Sequence, residues 1–332
     1  MRALKILLAA LLGVALLLAV AAGVHYRLFE RGWFHFTQWQ QGEQSGSASL
    51  WLPDYRVAIQ GKVVAGIDDD LSALTFDPDR NSLIAVTNGD PHWLELSLEG
   101  DLLRAIPLVG FGDPEAIEYI SEGVYVISDE RLQRLLRVEV NEQTSVIDAE
   151  QAQQLSLGID LNGNKGFEGL TYDAAGDRLF IVKERDPRQL YEVRGVAASL
   201  DGQLQLAVHD RSDWIASQVF ATDLSDIHFD AETGHLILLS DESRLVMELG
   251  ADGRMLSYRS LNGLFSDLGR SAPQPEGVTL DNDGTLYVVS EPNLFYSFRR
   301  EEGQPEYHEP EEQQDEITKL SMTEKRHRMI HG

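Results

Sequence analysis

The chain has 332 residues and carries 54 acidic against 28 basic side chains, which gives a formal net charge of −26 at pH 7. This charge excludes nucleic acid as a partner, because a DNA duplex itself carries about one negative charge per 1.7 Å. Cations are the more suitable ligands. The chain contains no cysteine, so disulfide bonds and thiolate metal sites are excluded as well.

The chain begins with a segment typical of a membrane anchor. Residues 6–24 carry no charge, whereas residues 1–5 contain Arg2 and Lys5 and are predicted to lie in the cytoplasm. A helix of this length reaches about 28 Å, close to the ~30 Å hydrocarbon core of a bilayer. We predict a single-pass anchor in the inner membrane, with the rest of the protein in the periplasm. The alternative is a signal peptide cleaved after Ala19-Val20-Ala21.

Two segments are predicted to have no fold of their own. Residues 25–54 form a juxtamembrane tether, in which aromatic side chains suited to a membrane interface precede the flexible stretch QQGEQSGSAS. Residues 301–332 carry many charges and few apolar groups, which predicts a disordered tail.

Between these segments, residues 55–300 repeat one phrase five times. Each copy opens with a short strand, and a second apolar strand follows about ten residues later. The openings are LSALTF from Leu71, PEAIEY from Pro114, FEGLTY from Phe167, LSDIHF from Leu224 and PEGVTL from Pro275. A period of 43 to 57 residues is typical of propeller blades. We predict an all-β fold, a five-bladed β-propeller, with six blades as the alternative.

The last repeat is incomplete, which predicts how the ring closes. It ends after three strands, and the segment YRVAIQGKVVAGI from Tyr55 belongs to no complete repeat. A third strand without a partner would expose a hydrogen-bonding edge, which natural sheets avoid. The segment from Tyr55 is therefore predicted to close the ring as the missing outer strand.

Acidic side chains recur at two positions of the repeat. Because the first strand of each blade lines the channel of a propeller, equivalent residues meet around the axis. The second residues of the openings are Ser72, Glu115, Glu168, Ser225 and Glu276. The polar residues that end the second strands are Asn88, Asp129, Glu184, Asp241 and Glu291. An antiparallel hairpin places both sets at the same mouth of the channel.

The seven carboxylates in these sets predict a metal site. Converging carboxylates repel one another and require a counter-charge. Ca²⁺ suits them best, since it accepts six to eight oxygen ligands in irregular geometry. In the alternative, the mouth binds no metal and basic neighbours neutralise the acids. The candidates for that role are Arg131, Lys183, Arg185 and Arg244.

Several phrases together resemble the SdiA-regulated family, a group distantly similar to NHL-repeat propellers. They include AIEYISEGVYVISDER, GFEGLTYD, LILLSDESR and EGVTLDNDGTLYVVSEPNLFYSF, and the resemblance extends from Tyr55 to Arg300. It implies a five-bladed propeller with calcium and no established reaction. The implied site transfers most directly to Glu115, Glu168 and Glu276, which stand within the matching phrases.

Two functions are compatible with these features. The first is a membrane-tethered, calcium-binding recognition module for a small molecule or an envelope protein. The second is a metal-dependent hydrolase, resembling lactonases or phosphoesterases, with calcium in the central channel. The sequence leaves open whether the protein is an enzyme.

Overall fold

The computed structural model describes residues 2–41, 49–156, 166–200 and 205–301. Most of the flexible stretch in the predicted tether and the predicted tail from residue 302 onward lie outside these ranges. Within the described residues, the strands form five sheets, each built on four antiparallel strands, and one sheet has a short fifth strand that pairs in parallel. The prediction of an all-β, five-bladed propeller is thereby confirmed.

The blades follow one another along the chain, and each runs outward from its first strand. Blade 1 consists of β2 (Leu71–Asp77), β3 (Ser82–Thr87), β4 (His92–Leu96) and β5 (Leu102–Val109). The short strand β9 (Ile147–Asp148) pairs in parallel with β5. Blade 2 consists of β6 (Pro114–Ser121), β7 (Val124–Asp129), β8 (Arg134–Glu139) and β10 (Gln153–Ser156). Blade 3 consists of β11 (Phe167–Asp173), β12 (Arg178–Lys183), β13 (Gln189–Arg194) and β14 (Ala207–Asp210).

Blade 4 consists of β15 (Asp226–Asp230), β16 (His235–Ser240), β17 (Leu245–Leu249) and β18 (Met255–Ser260). Blade 5 consists of β19 (Gln274–Leu280), β20 (Leu286–Glu291), β21 (Leu294–Arg300) and, as its outer strand, β1 (Tyr55–Val63). The first strands of consecutive blades contact one another, and β19 contacts β2. These five inner strands therefore surround a central channel.

Apolar side chains pack between the blades. The second strands β3 and β16 are buried along their whole length, because a neighbouring blade covers each of their faces. The outer strand β5, in contrast, alternates between buried and exposed residues towards its end. Five apolar clusters lie among the described residues, one at each junction between neighbouring blades. The ring is held together mainly by this burial, since apolar surface removed from water contributes about 25 cal/mol per Å².

The strand β1 comes from the start of the propeller sequence but lies beside its end. It pairs antiparallel with β21, from Tyr55 opposite Arg300 to Val63 opposite Leu294. The ring of Tyr55 is buried in the apolar cluster between blades 4 and 5. Blade 5 is therefore built from both ends of the propeller sequence.

Two helices precede the propeller. Helix α1 (Arg2–His25) is long and apolar enough to cross a membrane, and nearly all of its side chains are exposed. Helix α2 (Leu28–Gln41) occupies part of the segment predicted to be a tether, and it packs against blade 4. The ring of Phe34 lies 5.5 Å from that of Tyr258, and Gln38 Nε2 donates a hydrogen bond to the Leu256 carbonyl at 2.8 Å.

Three short helices complete the described structure. A 3₁₀ turn (Leu52–Asp54) leads into β1, and helices α3 (Val196–Leu200) and α4 (Ser212–Gln218) flank β14 in blade 3. None of them lies between the inner strands.

Candidate functional site

The predicted glutamates occupy β-bulges in the inner strands. In the pairing of β6 with β7, the register passes from Pro114 to Ala116 and leaves Glu115 without a partner. Glu168 in β11 and Glu276 in β19 are skipped in the same way. A bulge leaves its extra residue unpaired and redirects the side chain. The repeat thereby turns three carboxylates out of the strand ladders at equivalent places around the channel.

These three carboxylates are close enough to raise one another's pKa. The pKa of Glu168 is raised well above its ordinary value, first by burial and then by repulsion from Glu115, Glu130, Glu184 and Glu276. All four of these neighbours are acidic. The structure therefore brings the three glutamates of the predicted first set close to one another.

The pKa values of the other two glutamates of this set are also raised. Burial, with repulsion from Asp113 and Glu130, raises the pKa of Glu115 to about 8, although a 2.9 Å hydrogen bond from Asn88 opposes the change. Burial, with repulsion from Asp241, raises the pKa of Glu276 to about 9. At neutral pH these groups hold protons unless a cation replaces them.

The second set of polar residues lies beside the first, with one correction. Glu184, Asp241 and Glu291 immediately follow or end the second strands of blades 3, 4 and 5, as predicted. In blade 2, Ile117 pairs with Ile127 and Pro114 with Asp129, so Glu130 holds the position that was assigned to Asp129. The second strand of blade 2 is offset by one residue from the alignment of the repeats, and a shift of one residue changes which side chain reaches the mouth.

The side chain of Asp129 is engaged elsewhere. It is fully buried, pairs with Arg134 at 2.9 Å, and accepts a hydrogen bond from the Gly112 amide at 2.9 Å. These contacts fix the loop that leads into blade 2.

The remaining carboxylates of the second set also have raised pKa values. Burial, together with repulsion from Asp223, raises the pKa of Asp241 to about 7 against the opposing effect of Arg244. Burial also raises the pKa of Glu184, although Arg185 opposes this. For Glu291, burial and then repulsion from Asp70 raise the pKa.

One group of three carboxylates is compact enough to hold a cation. Oxygen atoms of Asp113, Glu115 and Glu130 all lie within 4.8 Å of one another. Two oxygens on opposite sides of one Ca²⁺ are about 5 Å apart, so this spacing and this all-oxygen donor set fit the ion. The sequence analysis identified Glu115 but missed its two partners.

The repeat contains a pattern that could have identified Asp113. The residue just before the opening of a blade is Asp70 in blade 1, Asp113 in blade 2 and Asp223 in blade 4. Asp70 forms a second compact acidic group with Asp69 and Glu291. Asp223 instead accepts hydrogen bonds from the amides of Asp241 and Glu242, at 3.0 and 3.1 Å.

The basic residues near the mouth have partners at its rim. Arg185 pairs with Glu184 at 3.0 Å and also with Glu242. Arg131 is largely exposed and lies 3.5 Å from Asp113. Arg244 donates to the carbonyls of Ala272 and Pro273, at 2.9 and 3.1 Å. Lys183 is buried at the end of β12.

Deeper in the channel lie two carboxylates that are surrounded by donors. Glu118 in β6 accepts hydrogen bonds from the hydroxyl of Thr75 (2.8 Å), the hydroxyl of Thr171 (3.3 Å) and the amide of Tyr172 (2.9 Å). Burial raises its pKa to about 7, and these hydrogen bonds oppose the change. Glu118 thereby connects the inner strands of blades 1, 2 and 3.

On the other side of the channel, Asp226 connects inner strands in the same way. Its carboxylate accepts from the amides of Ile227 and Val278, each at 2.8 Å, and from the amide of Leu74. These donors belong to blades 4, 5 and 1. The approach is close because Gly169 and Gly277 hold equivalent positions, where a Cβ atom would lie 2.8 Å or less from the next inner strand.

His228, which follows Asp226 in β15, completes the deep layer. Its Nδ1 lies 3.2 Å from the Thr279 hydroxyl, and burial lowers its pKa to about 4. The imidazole is therefore neutral at physiological pH.

The fold and this site together define a five-bladed β-propeller with an acidic channel mouth. The sequence profile of the SdiA-regulated family matches residues 47–299. The chain belongs to the SdiA-regulated family.

Solved structures with a similar chain path are distant in sequence. The luciferin-regenerating enzyme has 12% identity and a TM-score of 0.47, covering 72% of this chain and 94% of its own. The nidogen/laminin complex has 14% identity and a TM-score of 0.43, covering 67% and 73%. A catalytically inactive virginiamycin B lyase from Staphylococcus aureus has 12% identity and a TM-score of 0.40, covering 71% and 68%. At these TM-scores the similarities have no functional implication.

Proposed function

We propose that this protein is a membrane-anchored, calcium-binding recognition module whose acidic channel mouth binds its ligand through the ion. The observation that carries the proposal is the compact group of Asp113, Glu115 and Glu130 inside a wider ring of acids. Carboxylates at this spacing repel one another, and a divalent cation with oxygen ligands removes that repulsion.

Three residues would hold the ion, and others would adjust the site. Asp113, Glu115 and Glu130 supply the carboxylates, and Asn88 orients Glu115 through its 2.9 Å hydrogen bond. Glu168 and Glu276 add negative charge that strengthens cation binding. The bound ion would supply a positive charge to which a carboxylate, phosphate or carbonyl oxygen of a ligand can bind.

Ring closure and anchoring are parts of the same proposal. We infer that β1 closes the ring, and its pairing with β21 supports this. We also infer that α1 is an uncleaved inner-membrane anchor and that the propeller faces the periplasm. The length of α1 and its exposed apolar surface support the anchor.

The experiment is a measurement of calcium binding by isothermal titration calorimetry on chelator-stripped protein. The variant Glu115→Gln keeps the shape of the side chain and should weaken calcium binding at least tenfold. The exposed Glu139, which pairs with Arg137 on blade 2, provides the matched control Glu139→Gln. Unchanged affinity in Glu115→Gln, or equal losses in both variants, would contradict the assigned site.

A turnover assay on the same protein distinguishes a recognition module from a hydrolase. Wild-type protein loaded with calcium is tested against panels of lactones, carboxylic esters and phosphoesters. The proposal expects no turnover above that of Glu115→Gln. Turnover that requires both calcium and Glu115 would replace the recognition module with the hydrolase.

A further inference from the structure

Apart from the channel mouth, a pocket lies where the N-terminal helices meet the propeller. Its volume is about 410 Å³, and it is enclosed by the end of α1, the start of α2 and the loops of blade 4 that border the channel mouth. Its polar lining includes Arg27, Arg31, Thr222, Ser243, Arg244 and Asn262. Three arginines at one pocket stand out in a protein with a net charge of −26.

The charges of this pocket do not cancel. Arg27 pairs with Glu30 at 2.9 Å, and the one acid of the lining, Glu242, pairs with Arg185. Within the described ranges, neither Arg31 nor Arg244 has a carboxylate within ion-pair distance. The charge of Arg244 also acts on Asp241, so Arg31 is the arginine of the lining whose charge no described carboxylate balances.

Arg31 is held in place by aromatic rings. Its guanidinium carbon lies 4.9 Å from the ring centre of Phe265 and 5.5 Å from that of Tyr258. Such cation–π contacts orient the planar group without neutralising its charge. Its Nε atom is buried and has no hydrogen-bond partner among the described residues.

Neutral donors complete the lining. The hydroxyls of Thr222 and Ser243 lie 3.0 Å apart. Thr222 donates its proton to Asp223 at 3.4 Å, which leaves the Ser243 hydroxyl able to turn its proton towards a ligand. Asn262 accepts a hydrogen bond from the Leu264 amide through Oδ1, which leaves its amide N–H groups as donors. Guanidinium, hydroxyl and amide donors around one small space are the groups that bind phosphate oxygens.

The position of the pocket indicates the source of the phosphate. The pocket begins at Val24 and His25, where the exposed apolar helix α1 ends. If α1 spans the bilayer, this end lies at the depth of the lipid headgroups. Basic pockets between membrane-spanning helices bind anionic headgroups on the cytoplasmic side of membranes, and guanidinium groups bind phosphate by the same chemistry on either side.

We propose that this pocket binds the phosphate headgroup of an anionic phospholipid and thereby fixes the propeller against the membrane. The inference rests on the anchoring part of the proposed function but not on calcium. Because Glu242 and Arg244 border the mouth of the channel, a bound headgroup would hold the edge of the acidic mouth close to the bilayer.

The test uses full-length protein in mild detergent, with melting followed as lipid is added. The probes are dioleoyl phosphatidylglycerol, dioleoyl phosphatidylcholine and inorganic phosphate. We expect phosphatidylglycerol to raise the melting temperature, and the other two probes to have little effect. In the double variant Arg31→Gln/Arg244→Gln, the phosphatidylglycerol concentration for half of the effect should rise on the order of tenfold or more.

Two controls keep the test decisive. Arg137→Gln removes one positive charge from blade 2 and should leave the lipid effect unchanged, and Arg31→Gln alone avoids disturbing the carbonyls that Arg244 binds. If phosphatidylglycerol still raises the melting temperature of Arg31→Gln and of Arg31→Gln/Arg244→Gln at the wild-type concentration, the proposal is overturned. An equal effect of inorganic phosphate would assign the pocket to free phosphate instead. Calcium titration of the same samples reports on the channel mouth separately.

Discussion

The channel contains two groups of buried carboxylates whose surroundings differ. In the deep layer, Glu118 accepts hydrogen bonds from backbone amides or hydroxyls of blades 1 and 3, and Asp226 accepts from amides of blades 4, 5 and 1. At the mouth, the neighbours of Glu168 are other carboxylates. Burial raises the pKa in both groups. Several backbone or hydroxyl donors oppose this for each deep carboxylate, whereas at the mouth single partners such as Asn88 or Arg244 oppose it and neighbouring carboxylates reinforce it.

This difference separates a structural role from a binding role. A buried carboxylate that accepts several hydrogen bonds can join strands, and its removal leaves the donors unsatisfied. Carboxylates that mainly face one another gain nothing from proximity unless a cation binds. We therefore expect substitutions in the deep layer to change stability, and substitutions at the mouth to change calcium binding.

The largest effect is expected when the ring itself is opened. Deletion of residues 1–66 removes β1 and the buried Tyr55, whereas deletion of residues 1–50 keeps both. Without β1, blade 5 loses its outer strand, and the hydrogen bonds that Asp226 accepts from blades 5 and 1 lose support. The longer deletion should melt about 10 °C or more below the shorter one. Equal melting temperatures would contradict closure by β1.

A smaller loss of stability is expected from Asp226→Ala. The substitution leaves three buried amides without their acceptor, and each unsatisfied group costs about 1–3 kcal/mol. Urea denaturation should show a loss of about 3 kcal/mol or more. Asp226→Asn keeps one acceptor oxygen and should lose less. If Asp226→Ala lost less free energy of unfolding than Asp226→Asn, the structural role assigned to the deep layer would be wrong.

The mouth should give the calcium-free protein an unusual dependence on pH. The folded-state pKa values of Glu115, Glu276 and Asp241 are about 8, 9 and 7, above the ordinary values of 4.5, 4.5 and 3.8. The unfolded chain releases these protons at lower pH than the folded protein does. Their contribution to stability is therefore highest below about pH 4 and decreases as the pH rises towards about 9.

Calcium should reverse the decrease in stability at high pH, because the ion replaces the protons as the counter-charge of the carboxylates. The increase in melting temperature caused by calcium should be small at about pH 5.5 and largest at about pH 8.5. Melting curves with and without calcium across this range provide the measurement. An increase that is independent of pH would place the ion away from Glu115 and Glu276.

The sequence predicted the blades well because burial acts on whole strands. The apolar second strands and the turns between strands repeat regularly, so their positions follow from the pattern alone. The exchange of Glu130 for Asp129 could not be predicted in this way. It depends on a one-residue offset in the register of β7, which only the pairing of Pro114 with Asp129 makes visible.

Two other features depend on tertiary contacts. Asp226 stands where other blades have alanine or glycine, and its role follows from the amides that surround it in space. The aromatic residues of α2 predicted a membrane interface, and Trp33 and Trp39 are exposed. Phe34, however, packs against blade 4, so this segment is a docked helix where a tether was predicted.

The central claim is that the mouth binds calcium and the deep layer does not. It is tested most directly by calcium titration of chelator-stripped wild-type protein, Glu168→Gln and Asp226→Asn, with binding measured by calorimetry at about pH 8. We expect wild type and Asp226→Asn to bind calcium with the same affinity, and Glu168→Gln to bind at least tenfold more weakly while melting no lower than wild type in the absence of calcium. A flat titration of folded wild-type protein, or equal affinity in all three proteins, would contradict the account.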